Sequence, residues 1–575
     1  MSRGRTKGER RAADRGRRHV ARQADAGRVA RADASDRRRV LHVVAHPADA
    51  LTVTRADVQE ALADPGRALT VVSLASGGPD AAALLLEALG RGDTWHRRGE
   101  RLPDGTVLDI HTLSSAPHVE ICFVDGDEPR RSDGAAELTG RTVALLERFP
   151  ATVLRTTDPD PGHVAWDGET ATHVDHPEHA AVAQAVLEAV RLRADAPDVT
   201  GLVVECFRAG GPCDVPAAPA GAVVRYPGRR IWLTRGADGR LTAYAAVGGG
   251  VARWTETEPG GPGWTAEKLP DAPSLLPVLS VAQSPEGWVH LVSLRRTPAK
   301  AGGARVEVMH AVQYQTGRPV GQWRSLGSPN GDHPVKSREV GVPCVVVDAE
   351  GSPHVFARNF GRGVSSRTQG RNGSWGPWVD RAGAGVTDGL AAVLDEQGRP
   401  EVFAPSEGGV IRWHRAPDDA EEDLVRSPHP LPLLPIPGSS LIAQPTGPGR
   451  VTVYGSDVRD GALWALRTDG VTTRIGGVGG AGATLARQAI DGYDCTVLLQ
   501  RAPDGDTAVA AFATDHEPVD VWWERTGGQG VREPAAAVDA FGRLVVASLD
   551  PDGRLRVARQ DTTVPGLLLG GWVTV

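Results

Sequence analysis

From about residue 231 to the end of the chain, one short unit recurs at a nearly fixed spacing. Asp348 and Asp395 are 47 residues apart, Asp491 and Asp539 are 48 apart, and Asp395 and Asp491 are 96 apart. The degenerate turn QPTGPGR falls between the last two, so 96 counts as two periods. Each Asp sits in a turn between two apolar runs, as in CVVVDAEGSPHVFARN and AAVLDEQGRPEVFAPS. Two earlier turns, Asp238-Gly239-Arg240 and Glu286-Gly287-Trp288, bring the series to seven. A unit of this length with several short strands cannot bury both of its faces, so neighbours must stack and the row must close. An all-β seven-bladed propeller over residues 231–575 is the fold this implies. Twelve of the 14 Trp lie in this region. They are expected to pack between blades, the third strand carrying the Trp, with a minority meeting solvent in a sugar pocket.

Residues 40–208 read differently. Five strand-like runs, VLHVVA (40–45), ALTVVSLA (68–75), VEICFVD (119–125), ATVLRTT (151–157) and GLVVECF (201–207), alternate with runs of helical spacing. The helical runs are TRADVQEALAD, DAAALLLEALGR, AAELTGRTVALLERF and HPEHAAVAQAVLEAVRLR. Strands separated by amphipathic helices predict a parallel, Rossmann-like α/β sheet. Residues 209–230, rich in Gly, Pro and Ala, read as a linker.

Residues 1–39 carry 14 Lys and Arg against 5 Asp and Glu, so this tail is +9 and the remainder −16. With almost no large apolar residues it is expected to be disordered. The apolar run after it, Val40 to Ala45, is too short for the core of an export signal and reads as a strand. No stretch is long enough to span a membrane. The whole-chain charge of −7 gives no case for nucleic-acid binding. Five scattered cysteines without a C-x-x-C indicate neither a disulfide framework nor a zinc knuckle. A reducing, cytoplasmic setting is the expectation.

Two motifs carry chemistry. The first strand ends in Ala45-His46-Pro47-Ala48-Asp49-Ala50. Ligands of open α/β sheets bind outside the carboxyl ends of strands, which puts His46 and Asp49 where a site belongs. A nucleotide fold would show a glycine-rich turn there, and none is present. The plainer reading is a turn in which Pro47 fixes the chain and Asp49 caps the next helix. The second motif is Thr172-His173-Val174-Asp175-His176-Pro177-Glu178-His179. Pro177 suits the first helical position, which sets His176 and His179 on one face of a helix start. A helix N-terminus keeps imidazole neutral, as metal ligation requires. Two His and one Asp with an open position form a catalytic zinc set; surface and capping histidines are the alternative. His173 reads as a loop histidine.

The two motifs together resemble the PIG-L/LmbE-like deacetylase family, over roughly residues 40–207. LTVVSLASGG and TTDPDPGHVAWD support the resemblance. In that family the first motif reads A-H-P-D-D: its first Asp is the general base, and its His and second Asp bind zinc. The last His of H-P-D-H completes the shell, and the first His assists the oxyanion or leaving group. The resemblance therefore implies Zn²⁺ held by His46, Asp49 and His179, with His176 as catalytic helper. It implies hydrolysis of an N-acetylated sugar conjugate, and the repeats resemble lectin-like propellers attached to such domains in bacteria. The departures are Ala48 at the general-base position, Ala50 in place of a common acid, and Glu178 for Asp. A positioned base contributes about 10²–10⁴-fold, so its loss is severe unless replaced. Two readings follow. One is a zinc-dependent deacetylase impaired at Ala48 with a glycan-binding propeller; the alternative is a catalytically inactive carbohydrate-binding or interaction protein.

Overall fold

The computed structural model describes residues 38–575 except 54, 75–77, 91, 125–133, 161–162, 168–169, 174–176, 198–200, 209–222, 228–230, 270–274, 299–303, 334, 416–423 and 481. The basic tail up to residue 37 and most of the 209–230 linker thus lie outside the described residues. The chain from Arg38 to Val575 forms one compact unit.

Its first third opens with β1 (Arg38–Val44), α1 (Pro47–Val53), α2 (Arg55–Ala63), β2 (Arg67–Ser73) and α3 (Gly78–Gly90). A meander follows: β3 (Trp95–Arg101), β4 (Val107–Leu113) and β5 (Ala116–Val124). Then come α4 (Ala135–Arg148), β6 (Val153–Thr157), the hairpin β7 (His163–Asp167) and β8 (Thr170–His173), α5 (Pro177–Leu192), β9 (Val203–Arg208) and β10 (Val223–Val224). Eight of these strands form one sheet in the order β10-β9-β6-β1-β2-β5-β4-β3.

All five expected strands are present and parallel, with β1 at the centre. The expectation of a purely parallel, Rossmann-like sheet is corrected in one respect: β3, β4 and β10 are antiparallel, so the sheet is mixed. β3 escaped the sequence reading because it is WHRRGER, an edge strand whose side chains are nearly all exposed or half-buried. Polar edge strands protect a sheet from pairing with other chains and give no apolar run to read.

One sheet face, through Leu41, Val43, Val72, Leu154 and Val204, packs against Leu145 and Leu146 of α4 and Val182, Val186 and Ala189 of α5. The other face is shared. Val40, Val44, Val71, Ile121, Val153 and Val203 join Val58 and Leu85 of the helices in one apolar cluster that also holds Trp232, Trp254, Leu549 and Leu555 from beyond residue 231. Full burial of such a side chain contributes about 1.5–3 kcal/mol, so this joint is a core rather than a surface contact. The backbones approach closely as well: a Cβ on Gly553 would lie 2.3 Å from the Cα of Gly201, and Gly553 has φ +71°. Only glycine satisfies both conditions.

The rest of the chain is the expected seven-bladed propeller. Seven four-stranded antiparallel sheets follow one another at 233–268, 280–327, 344–380, 391–426, 442–476, 484–529 and 535–574. Each of the seven turns read from the sequence joins the first strand of a blade to its second. The physical reason for the repeat is visible in three of them. Oδ1 of Asp348, Asp395 and Asp539 accepts the backbone N–H groups two and four residues on, at 2.8–3.0 Å. Gly351, Gly398 and Gly542 then take positive φ. In two turns the residue after that glycine is an arginine whose Nε donates to Oδ2 of the same Asp. Each blade is built from consecutive strands, so the ring closes through side chains rather than a shared strand. Trp232 Nε1 donates to Glu533 O at 3.1 Å, and Arg559 pairs with Glu256 at 2.7 Å. The tryptophans differ from expectation: those at 264, 323, 375, 378, 523 and 572 open or precede a fourth strand, whereas 254, 413 and 464 lie on third strands. The fourth strands are short and exposed, and an indole at their entry covers the blade edge.

Candidate functional site

β1 has neighbours on both sides, β2 and β6, and the chain leaves it in opposite directions to reach them. A crevice at the carboxyl end of β1 and β6 follows from this reversal of order. His46 stands just past β1 and starts α1 with Pro47 in its first position. His46 N–H donates to Asp49 Oδ2 at 2.7 Å, so the acid in the third helical position closes back on the residue before the helix. The capping role considered for Asp49 is therefore real, and it uses one oxygen. The other oxygen, Oδ1, meets His179 Nε2 at 2.9 Å. His179 lies in the first turn of α5, tied to the end of β6 where Thr157 Oγ1 donates to His179 O at 2.7 Å.

His46, Asp49 and His179 thus come together from two motifs 130 residues apart, each offering one ligand atom within 4.8 Å of the others. The two imidazole rings meet edge-on with centroids 5.5 Å apart. His46 Nδ1 lies 3.6 Å from Asp49 Oδ2, while His46 Nε2–H donates to Glu178 Oε2 at 2.6 Å. A carboxylate on the far nitrogen of an imidazole fixes its tautomer and directs the near nitrogen to the site. Hydrogen bonding to Asp49, joined by Glu178, holds His46 above its ordinary pKa. Burial alone would raise the Asp49 carboxyl, but hydrogen bonds from His179 and His46 outweigh it and hold it well below the usual carboxylate range. Asp49 is therefore an anion at neutral pH, flanked by two imidazoles. Two nitrogen donors and a carboxylate are the donor set of three-ligand zinc sites, so the residues present fit that metal.

His176 and Asp175 lie outside the described residues, and of His173 only the backbone, the last residue of β8, is described. Ala48 is exposed in the first turn of α1. The contact of Glu178 with His46 was not legible in the sequence. The only hint was that H-P-E-H carries an acid beside its last His, and the 132-residue separation hid its partner.

Away from this cluster, a cavity of about 560 Å³ lies between α5 and the first two blades, lined by Leu187, Val190, Leu276 and Pro277. Its cations are already paired: Arg191 with Glu188, Lys268 with Asp195 and Arg296 with Asp160. On the propeller, Trp522 is 84 % exposed. It borders a cavity of about 400 Å³ with Val519, Glu524 and Leu567.

No family model matches the chain, and no curated protein matches it. Among solved structures, the BP39L lectin from Burkholderia pseudomallei aligns with 61 % of this chain and 100 % of its own, at 16 % identity and TM-score 0.44. Aleuria aurantia lectin in complex with alpha-methyl-L-fucoside aligns with 52 % of this chain and 96 % of its own, at 14 % identity and TM-score 0.33. AofleA from Arthrobotrys oligospora aligns with 63 % and 93 %, at 8 % identity and TM-score 0.34.

Proposed function

We propose that this chain is a carbohydrate-binding protein whose α/β domain keeps a zinc-binding cluster but has lost efficient amide hydrolysis. The observation that carries the reading is Ala48: a methyl group stands beside the ligands where the resemblance requires a base. Zinc held by His46, Asp49 and His179 would polarise an acetyl carbonyl and lower the pKa of water. The chain's own residues still have to orient that water and take its proton. Asp49 is committed to His179 and to the His46 N–H. Glu178 is committed to His46. Carbohydrate is the binding partner that fits Trp522, whose open indole face can stack on a sugar ring while Glu524 stands ready to accept hydroxyl protons.

A slow zinc-dependent N-deacetylase is the second reading, and Glu178 favours it. Among the described residues it is the carboxylate besides Asp49 in contact with the cluster, so it could serve as base in place of residue 48. The two readings separate in one comparison at equal zinc occupancy on an N-acetylglucosamine conjugate. On the first, wild type is inactive or slow and Ala48→Asp raises turnover by roughly 10²-fold or more, mainly in kcat. Rapid wild-type turnover abolished by Glu178→Ala, with Ala48→Asp adding nothing, establishes the second.

A further inference from the structure

Each blade is an antiparallel meander, so its connections fall at two opposite ends. The α/β domain occupies the end where second strands turn into third. There Gly248 N–H donates to Leu202 O at 2.8 Å, Arg67 Nη2 donates to Pro503 O at 3.1 Å, and Gly553 abuts Gly201. The other end carries the turns between first and second strands and the loops between third and fourth. Five aromatic side chains are exposed among the described residues: Trp288, Tyr314, Tyr493, Trp522 and Phe541. All five lie at this open end, and all belong to blades 2, 6 and 7. One exposed aromatic residue needs no explanation, whereas five gathered on one face mark an interaction surface.

Contacts between adjoining turns join these residues in a row. Trp522 of blade 6 borders the cavity of about 400 Å³ with Leu567 of blade 7. Beside Leu567, Gly566 N–H donates to Asp491 Oδ2 at 2.9 Å. Asp491 and Gly492 both have positive φ and form the two-residue turn that sets Tyr493 opposite Ile490. From the same blade Gln488 Nε2–H donates to Gly542 O at 2.8 Å, one residue past Phe541. The Phe541 ring centroid lies 5.2 Å from the Arg543 guanidinium, and a Cβ on Gly260 of blade 1 would come within 2.5 Å of the ring. A Cβ on Gly239 of blade 1 would stand 3.3 Å from Ala540, and one on Gly287 of blade 2 would stand 2.9 Å from Ala237. Trp288 follows Gly287 and meets Tyr314 edge-on, with ring centroids 5.1 Å apart. The loop carrying Tyr314 is held from blade 1, where Arg253 Nη1 donates to Arg318 O at 2.7 Å. The rings therefore follow an arc over the consecutive blades 6, 7, 1 and 2, on supports fixed by hydrogen bonds.

The same turns set polar residues between the rings: Asp491, Arg543, Asp238, Arg240 and Glu286. A protein-binding hot spot is a closed apolar centre that excludes water. A sugar chain instead presents apolar ring faces for stacking and hydroxyl edges for donors and acceptors, unit after unit. One aromatic ring covers about one sugar ring, so platforms on three blades call for a chain rather than a single sugar. Resting on the carbohydrate-binding reading, we infer that the open end of blades 6, 7, 1 and 2 binds a glycan chain of several sugar units. Trp522 holds one unit, and Tyr493, Phe541 and the Trp288–Tyr314 pair hold units further along the chain.

Calorimetric titration of the full chain with N-acetylglucosamine and with its linear hexamer tests this. The hexamer should bind about 10²-fold more tightly than the monosaccharide, because each further platform is engaged intramolecularly. Trp522→Ala should weaken binding of both. Tyr493→Ala and Phe541→Ala should each lower hexamer affinity about three- to tenfold while monosaccharide affinity and the unfolding midpoint stay in place. Trp288→Ala gives the same reading independently of those two. Equal affinity for the two sugars, or hexamer affinity untouched by Tyr493→Ala, Phe541→Ala and Trp288→Ala, would overturn the extended surface and leave carbohydrate binding at Trp522 standing. Binding of neither sugar would overturn both. Self-association of the wild-type chain that Phe541→Ala abolishes, without sugar binding, would make this face a protein contact and overturn the inference.

Discussion

The propeller and the α/β sheet use carboxylates in opposite ways. In the propeller one device, an Asp that gathers the backbone N–H groups of its own turn, is used again and again for architecture. In the α/β sheet each polar residue occurs once and does two jobs: Asp49 caps a helix with one oxygen and meets His179 with the other. Repetition spreads structural load over many equivalent places. A single-use residue cannot be lost without losing its site. The difference also explains why the first region announces itself by spacing, whereas the second needs its motifs brought together by the fold.

The sharpest way to break this contrast is to ask whether the repeated turns are equivalent. Asp539 is fully buried and binds Arg543 and Arg559 of its own blade, and Arg559 in turn pairs with Glu256 of the first blade across the ring closure. The side chain of Asp238 is 34 % exposed and pairs only with Arg240 of its own turn. Asp539→Ala should lower stability by about 3–5 kcal/mol, the cost of stranding buried partners. Asp238→Ala should cost about 1 kcal/mol or less. Denaturant midpoints of the two variants measure this, and equal costs would mean that ring closure adds nothing to the seventh turn.

What the sequence disclosed follows the same division. The turns at Asp348, Asp395 and Asp539 were readable because their chemistry is local: acceptor, donors and glycine all fall within five residues. The five parallel strands were readable because both their faces are buried, which leaves continuous apolar runs. β3 and β4 were not, since an antiparallel edge needs no such run. Nor could spacing show that Val40 and Val153 share a core with Trp232 and Leu549, or that Arg38, apparently the end of a charged tail, begins β1. The His46, Asp49 and His179 set was legible as two half-sites. Glu178 as the partner of His46 depended on the approach of α5 to α1.

The seam between the two regions supplies a pH test. Asp160, 2 % exposed, receives Arg296 Nε–H at 3.0 and 3.1 Å, with Asp158 and Arg225 close by. Burial, only partly offset by Arg296, pushes its carboxyl up to about 6. Between about pH 4 and pH 6 the folded chain therefore keeps a proton that the unfolded chain has released, and stability falls as pH rises through that window. The fall amounts to roughly 3 kcal/mol. Asp160→Asn should remove it. The buried His290 and His310, held down to about 4 and about 3 by burial, give the opposite slope in both proteins and cancel in the difference. An unchanged slope in Asp160→Asn would show that the seam does not set the pH response.

Glu178 sharpens the single-use side of the contrast. In the proposed zinc set, Glu178, as the partner of His46 Nε2, would orient a ligand without being one. Glu178→Ala should weaken zinc affinity about 10–100-fold, measured by chelator competition. Asp49→Ala and His179→Ala should abolish most binding, because each removes a proposed ligand. If Glu178→Ala is as damaging as they are, Glu178 belongs to the ligand set.

The smallest effect on stability should come from the residue on which carbohydrate binding is proposed to depend. Trp522, at 84 %, is the more exposed of the two exposed propeller tryptophans, the other being Trp288 at 40 %; the rest are half-buried or buried. A residue 84 % exposed contributes little to the core, so Trp522→Ala should shift stability by no more than about 0.5 kcal/mol. Its indole face beside Glu524 is nevertheless the surface on which a sugar ring would stack. Loss of that stacking should abolish retention on the glycan columns that hold the wild-type chain, while the unfolding midpoint stays in place. Trp413, 1 % exposed, is the control from the same repeat: Trp413→Ala should cost about 3–5 kcal/mol. Retention of Trp522→Ala equal to wild type would remove this surface from the carbohydrate reading, and a large fall in its stability would make Trp522 one more packing residue of the ring.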